Sequence, residues 1–203
     1  MTADTTGGAR ERAALDRFAA AHGEDPRSVV VEGIAKPWSV LYHERLAHWV
    51  HEFDPGASLP LRLAAACQHI RRWEVPRSDY SADRRGYRQW RSDLAKQHAR
   101  TAREILTDVG YDEVTIARVE VFLQKVGLAR DPEVRLFEDA ICMVFFEHEY
   151  ADLAGKHEDD KVVDILRRTW QKMSPQGHAA AITLSAGMSG RERRLIERAV
   201  ASD

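Results

Sequence analysis

The chain has 203 residues, 44% apolar and 31% charged, a globular composition with enough apolar side chains for a continuous core. Thirty basic residues against 32 acidic ones leave a formal charge of −2, so no global field draws the protein to nucleic acid or to an anionic membrane. These numbers also exclude extensive disorder.

Residues 1–9 are small and polar and are expected to be disordered, whereas Ala, Leu and Phe at helical spacing predict a first helix over 10–22, stopped by Gly23. Asp25-Pro26 marks a turn. A helix over 38–53 presents Tyr42, Leu46, Trp49, Val50 and Phe53 on one face and ends before Pro55-Gly56. Residues 61–73, LRLAAACQHIRRW, are apolar nearly all round for two turns, the pattern of a central helix, and Pro76 breaks it. A polar loop to Asp83 leads into a long helix over 84–109, capped by Gly110. Asp112 caps the next helix, which ends at Gly127.

Asp131-Pro132-Glu133 combines an N-cap acceptor, a proline at the first helical position and an acid at the positive end of the dipole. The helix it opens runs to 153 and contains the apolar run ICMVFF. Asp159 and Asp160 begin another that ends near Pro175, and a last amphipathic helix covers 189–201. Internal repeats, interdomain linkers and alternating strand patterns of useful length are all missing. The expectation is therefore an all-α, single-domain compact helical bundle over 10–203. Cys67 and Cys142 lie in apolar stretches far apart, the usage of a reducing compartment, and no run approaches about 18 uncharged apolar residues. A cytoplasmic location with no membrane partner follows as an expectation.

Phosphate-cradling glycine loops, zinc ribbons and metalloprotease helices need spacings this chain lacks. What remains are polar residues where the pattern calls for apolar ones. Gln68 and His69 interrupt the central helix, His98 lies on the apolar stripe between Leu94 and Ala102, and Glu138-Asp139 precede an apolar run. An unpaired buried carboxylate costs several kcal/mol, so a cation or hydrogen-bond donor must compensate. Two imidazoles and a carboxylate form a first shell for Zn, Mn or Fe, with His43 as a fourth ligand. Adjacent helical positions point about 100° apart, so Glu138 and Asp139 share a site only at its edges, and an arginine from a nearby loop is an alternative partner for them. Asp139 is taken as the ligand. Gln68, Glu138 and Lys125 are taken as candidate catalytic groups.

Between Arg71 and Arg91 seven arginines alternate with Trp73, Tyr80, Tyr87 and Trp90, and only three acids intervene. Guanidinium groups bind phosphate and carboxylate bidentately, so Arg71, Arg72, Arg77 and Arg91, with Tyr80, Tyr87 and Trp90, are candidate contacts to a small anionic substrate. The competing reading is a cation–π ladder that pins the loop to the helices.

The segments QHIRRWEVPRSDY (68–80), YRQWRSDL (87–94), His98, GYDE (110–113), LFEDA (136–140) and KMS (172–174) resemble a bacterial family catalogued as a domain of unknown function, over about residues 12–200. Some of its members carry a glutamyl-tRNA synthetase label, but the nucleotide-binding signatures of that synthetase are missing here. More distantly, the order of elements resembles the HD-domain metalloenzymes, all-helical proteins with ligands in the order His, His-Asp, Asp. That resemblance implies His43 as the first ligand, Gln68-His69 in place of the His-Asp pair, His98 as an additional His and Asp139 as the last Asp.

The functional expectation is a metal-dependent enzyme holding Fe, Mn or Zn and acting on a small anionic substrate, first as an HD-like phosphohydrolase. The alternatives are a non-haem iron oxygenase on the same residues and a non-catalytic nucleotide- or RNA-binding module. Nucleic acid is the least favoured partner, and a homodimer is compatible with the sequence.

Overall fold

A computed structural model describes residues 3–201. Among them it contains ten α-helices and one two-stranded hairpin, so the protein is all-α. No helix of the described residues is long and apolar enough to cross a membrane. The chain divides into two compact units, one made of the residues up to His48 with Gly56–Val126, the other of Trp49–Pro55 with the residues from Gly127 onward.

The first unit holds α1 (Ala3–Gly23), β1 (Ser28–Val31), β2 (Ile34–Pro37), most of α2 (Trp38–Phe53), α3 (Leu59–Ala65), α4 (Arg84–Val109) and α5 (Glu113–Gln124). The disorder expected of residues 1–9 is not found over 3–9, which belong to α1, so that helix starts before the expected residue 10; residues 1 and 2 lie outside the described residues. The two strands pair antiparallel, Ser28 opposite Pro37 and Val31 opposite Ile34. Their two-residue turn, Glu32-Gly33, takes φ values of 51° and 81°, the double left-handed geometry that matches strand twist. Four residues per strand leave too little alternation for the pattern to be read from sequence.

The helix expected over 61–73 is much shorter. Ser58 accepts from Leu61 N and Pro60 occupies the first turn, but regular helix ends at Ala65 and gives way to turns and a 3₁₀ segment, Arg72–Glu74. Two histidine side chains supply the reason. The backbone N–H of His69 donates to His43 Nε2 (3.2 Å) rather than to the carbonyl one helical turn back. The carbonyl of Ala66 accepts from His22 Nε2 (2.8 Å), and Ile70 N bonds back only as far as Cys67 O. Imidazoles thus capture groups that would have extended the α-helical ladder.

α4 starts and stops where the sequence predicts. Asp83 accepts from Gly86 N at 2.7 Å, and Gly110 closes the helix at φ 88°. Its buried stripe includes Trp90, Leu94, His98, Ala102 and Leu106. Asp112 caps α5, which ends earlier than Gly127, at Lys125, whose φ of 56° is left-handed.

The second unit contains the end of α2, α6 (Pro132–His148), α7 (Tyr150–Lys156), α8 (Asp159–Trp170), α9 (Pro175–Ser185) and α10 (Gly190–Val200). The helix expected to reach 153 breaks at Glu149, and the following Tyr150 turns into the core, its hydroxyl donating to Glu192 O at 2.8 Å. Pro175, read as a stop, instead occupies the first turn of α9, with Ser174 as its N-cap. The last helix matches expectation: Ser189 and Glu192 form a reciprocal capping box. Met143, Phe146, Tyr150, Leu166, Leu195 and Ile196 pack together as the core of this unit.

Gly177 on α9 packs against Asp139 on α6 so closely that an added Cβ would lie 2.4 Å from Oδ1. Gly177→Ala is therefore expected to lower stability by about 1–3 kcal/mol, the usual cost of overpacking. An unchanged urea midpoint would contradict that close approach.

Candidate functional site

The site grows from four buried or half-buried histidines of the first unit, brought together from α1, α2, the turn after α3, and α4. His43 is fixed at both ring nitrogens. Its Nε2 accepts from His69 N, so Nδ1 carries the proton and donates to Ser39 O at 2.5 Å. Ser39 is held in turn through its hydroxyl, which donates to Asp25 at 2.6 Å. Burial alone would raise the Asp25 carboxyl, but hydrogen bonds from Arg27 and Ser39 hold it below its usual value. His22 stacks on His43 with ring centroids 3.7 Å apart and planes 15° from parallel. A carbonyl only accepts, so the bond to Ala66 O puts the His22 proton on Nε2 and leaves Nδ1 unprotonated.

His69 and His98 stand beside this pair, their ring centroids 5.7 Å apart. His69 Nδ1, His98 Nε2 and Gln68 Oε1 are all buried without a protein hydrogen-bond partner. Each such atom costs about 1–3 kcal/mol unless something satisfies it. All three residues line one cavity of about 320 Å³, together with Arg72, Arg91, Lys96 and Lys125. Among the described residues, no Asp or Glu lines it.

The electrostatics follow from burial beside cations. His98 is pushed down to about 3, by desolvation first and then by the charges of Arg72 and Arg91. His69 falls well below the ordinary imidazole value through desolvation, with Arg72 the largest charge acting on it and Lys125 contributing. Desolvation and the neighbouring His22 lower His43 as well. These rings are neutral at pH 7 and offer lone pairs rather than charge. Arg72 is held with its guanidinium carbon 4.8 Å from the centre of the Trp90 ring, and Trp90 Nε1 donates to Val75 O.

The residues singled out in the sequence divide into three groups. Gln68, His69, Arg72, Arg91, His98 and Lys125 come together around the cavity. Arg71, Arg77, Tyr80, Tyr87 and Trp90 shape its surroundings. Arg71 pairs with Glu24 and Glu74, Arg77 donates to Tyr80 O and Ser81 O, Tyr80 donates to Asp93, and Tyr87 packs on Trp90. Glu138 and Asp139 belong to the second unit. There Asp139 accepts from Ser174 N at 2.8 Å and from Ser174 Oγ at 2.5 Å, and Lys172 Nζ lies 3.9 Å from Glu138. The segment KMS thus supplies partners to both carboxylates of LFEDA, where an arginine was the alternative considered.

His22 was missed as a site residue. It lies one turn after the buried Phe18, on the face that also carries Ala14, and that spacing could have flagged it. Lys96, five residues after Arg91 on α4, also lines the cavity and has no distinguishing sequence pattern.

The model of the family described as Domain of unknown function (DUF4202) matches residues 12–196. The chain belongs to this family. No curated protein and no solved structure matches it. The match spans every cavity-lining residue named above, so the pocket is built wholly within the family domain.

His22, His43, His69 and His98 all have folded-state values below the ordinary 6.5. Their stabilising contribution is present in full above pH 6.5 and is lost as pH falls, because the unfolded chain takes up protons that the fold refuses. Each group adds up to about 1.4 kcal/mol per pH unit. Urea unfolding between pH 7 and 5 should show stability falling steeply, and His98→Gln should reduce the slope. Stability independent of pH over that range would refute the neutral-imidazole description.

Proposed function

We propose that this pocket is the catalytic site of an enzyme acting on a small anionic substrate, and that its reaction is metal-assisted hydrolysis of a phosphate monoester. The observation that carries the reading is a pair of buried imidazoles, each with an unpartnered nitrogen, lying beside four cationic side chains in one cavity. Its volume of about 320 Å³ accommodates a phosphate with a small organic group.

The donor set fits a divalent ion in part. The lone pairs it would offer are those of the buried, unpartnered nitrogens of His69 and His98, whose ring centroids are 5.7 Å apart. His43 has both ring nitrogens engaged and Asp139 both oxygens, so His69 and His98 are the groups that would hold the ion. Such an ion, when bound, lowers the pKa of a coordinated water and makes it a nucleophile near neutral pH.

The remaining work falls to the chain. Arg72, oriented by its stack on Trp90, and Arg91 and Lys125 bind the phosphoryl oxygens and neutralise the charge on them as it grows during attack. Gln68 Oε1, an acceptor, orients a water hydrogen. Water oxygen bonds to phosphorus as the ester P–O bond breaks, and the proton that the water gives up ends on the leaving oxygen, so that the products are inorganic phosphate and an alcohol.

The test is phosphate release from a panel of phosphomonoesters by protein reloaded with Mn²⁺, Zn²⁺ or Fe²⁺ after chelation. His69→Ala and His98→Ala should each lower kcat/KM by about 100-fold or more, with folding intact by circular dichroism. Lys125→Gly should raise the melting temperature, because glycine relieves the left-handed cap by about 1 kcal/mol, and yet lower activity. No turnover with any ester and metal, or turnover indifferent to both histidines, would overturn the proposal. Oxygen consumption by the iron form without phosphate release would replace hydrolysis with oxygenation.

A further inference from the structure

We infer that the ligand of this pocket carries a hydroxyl beside its phosphoryl group and that Gln68 reads it, so that the organic part of the substrate is a short polyol rather than a hydrocarbon chain. The inference rests on the reading of the pocket as the seat of a small phosphate ester and adds which kind of ester. It is independent of the ion.

Gln68 is 4% exposed, and its Oε1 is buried without a hydrogen-bond partner in the wall of the cavity of about 320 Å³. A carbonyl oxygen differs from the orphaned nitrogens of His69 and His98 in the same wall. A neutral imidazole can move its proton from one nitrogen to the other and turn either into a donor, whereas a carboxamide oxygen only accepts. The group that satisfies Gln68 must therefore bring an N–H or an O–H.

The charge in the cavity calls for the opposite kind of partner. Arg91 and Lys96 lie along it as exposed side chains of α4, and among the described residues no Asp or Glu lines it. Arg72 and Lys125 line it too, but have partners of their own. Arg91 and Lys96 offer donors only, which a phosphoryl dianion, an acceptor at all its free oxygens, matches. The same dianion has no hydrogen to give to Gln68 Oε1 and repels it. One ligand satisfies the cations and Gln68 together only when a donor sits on the organic group that the phosphate carries. A hydroxyl meets that requirement without placing a further positive charge beside Arg91 and Lys96, as an ammonium would. Its hydrogen takes one lone pair of Oε1 and leaves the other for water. A glycerol-sized ester fits the volume.

The experiment is calorimetric titration at pH 8 of the full chain, kept in chelator, with glycerol phosphate and with 2-methylbutyl phosphate, the same skeleton with a methyl in place of each hydroxyl. Both are dianions at that pH. Glycerol phosphate should bind at least about tenfold more tightly. Gln68→Met and Gln68→Leu, which put an apolar group in place of the amide, should remove the difference by weakening glycerol phosphate while leaving 2-methylbutyl phosphate as tight or tighter. Arg91→Gln and Lys96→Gln should weaken both esters by a similar factor and preserve their ratio, because these charges read only the phosphate. Equal affinity of the two esters for the parent protein overturns the inference and leaves the anionic-substrate reading standing, with Gln68 Oε1 then satisfied by water. A preference that survives both Gln68 variants also overturns it, since the hydroxyl is then read elsewhere. Failure of both esters to bind overturns the inference and the anionic-substrate reading together.

Discussion

The first unit depends on one hydrogen bond, from the backbone N–H of His69 to Nε2 of His43. It consumes a donor that would otherwise have continued α3, so the chain turns immediately after Ala65 instead of running straight on. The turn presents Gln68, His69 and Arg72 to α4 and the end of α5, and so creates the cavity. It also fixes the tautomer of His43, and through the Nδ1 bond to Ser39 it ties the pocket to the start of α2 and the Asp25 turn. A side chain thus does what a backbone carbonyl would do in a regular helix, and the geometry of the site is the result.

Around that bond the histidines work as a group of neutral rings. Burial and neighbouring cations oppose protonation, while stacking of His22 on His43 adds close contact that two charged rings would not tolerate. The outcome is an interior that is polar in its atoms yet uncharged along one wall, with cations along the other. Cationic side chains beside neutral rings attract an anion more than a bare cation. The aromatic and arginine segment contributes in two ways: Arg72 and Arg91 line the cavity, and Arg77 holds the loop through Tyr80 O and Ser81 O.

Much of the architecture was legible in the residues. Asp83, Gly110, Asp112, Asp131 and Ser189 announce helix ends because capping chemistry is local, and the structure places caps at all of them. His98 was legible for a related reason: a polar residue on the apolar stripe of a long helix has nowhere to point but inward. The end of α3 was not legible, since the groups that stop it come from His22 and His43, 44 and 26 residues away in sequence. The break at Glu149 and the restart at Pro175 were hidden for a different reason. Apolar periodicity runs through the first, and a proline reads equally as a stop or as a first turn. The hairpin over 28–37 was too short to show alternation. Lys125 shows no exceptional local pattern, and its left-handed backbone becomes apparent only in the fold.

The position of His22 changes what trimming the protein would mean. α1 looks like a leading helix of modest amphipathicity that could be removed to obtain a smaller, better-behaved fragment. Yet its last turn carries the ring that covers His43 and the donor that satisfies Ala66 O. Cutting the chain before residue 23 would uncover the His43 ring and leave the Ala66 carbonyl without its donor at the point where α3 stops. Any minimal fragment that keeps the site has to begin upstream of Phe18, whose side chain is 1% exposed and seats that helix in the core.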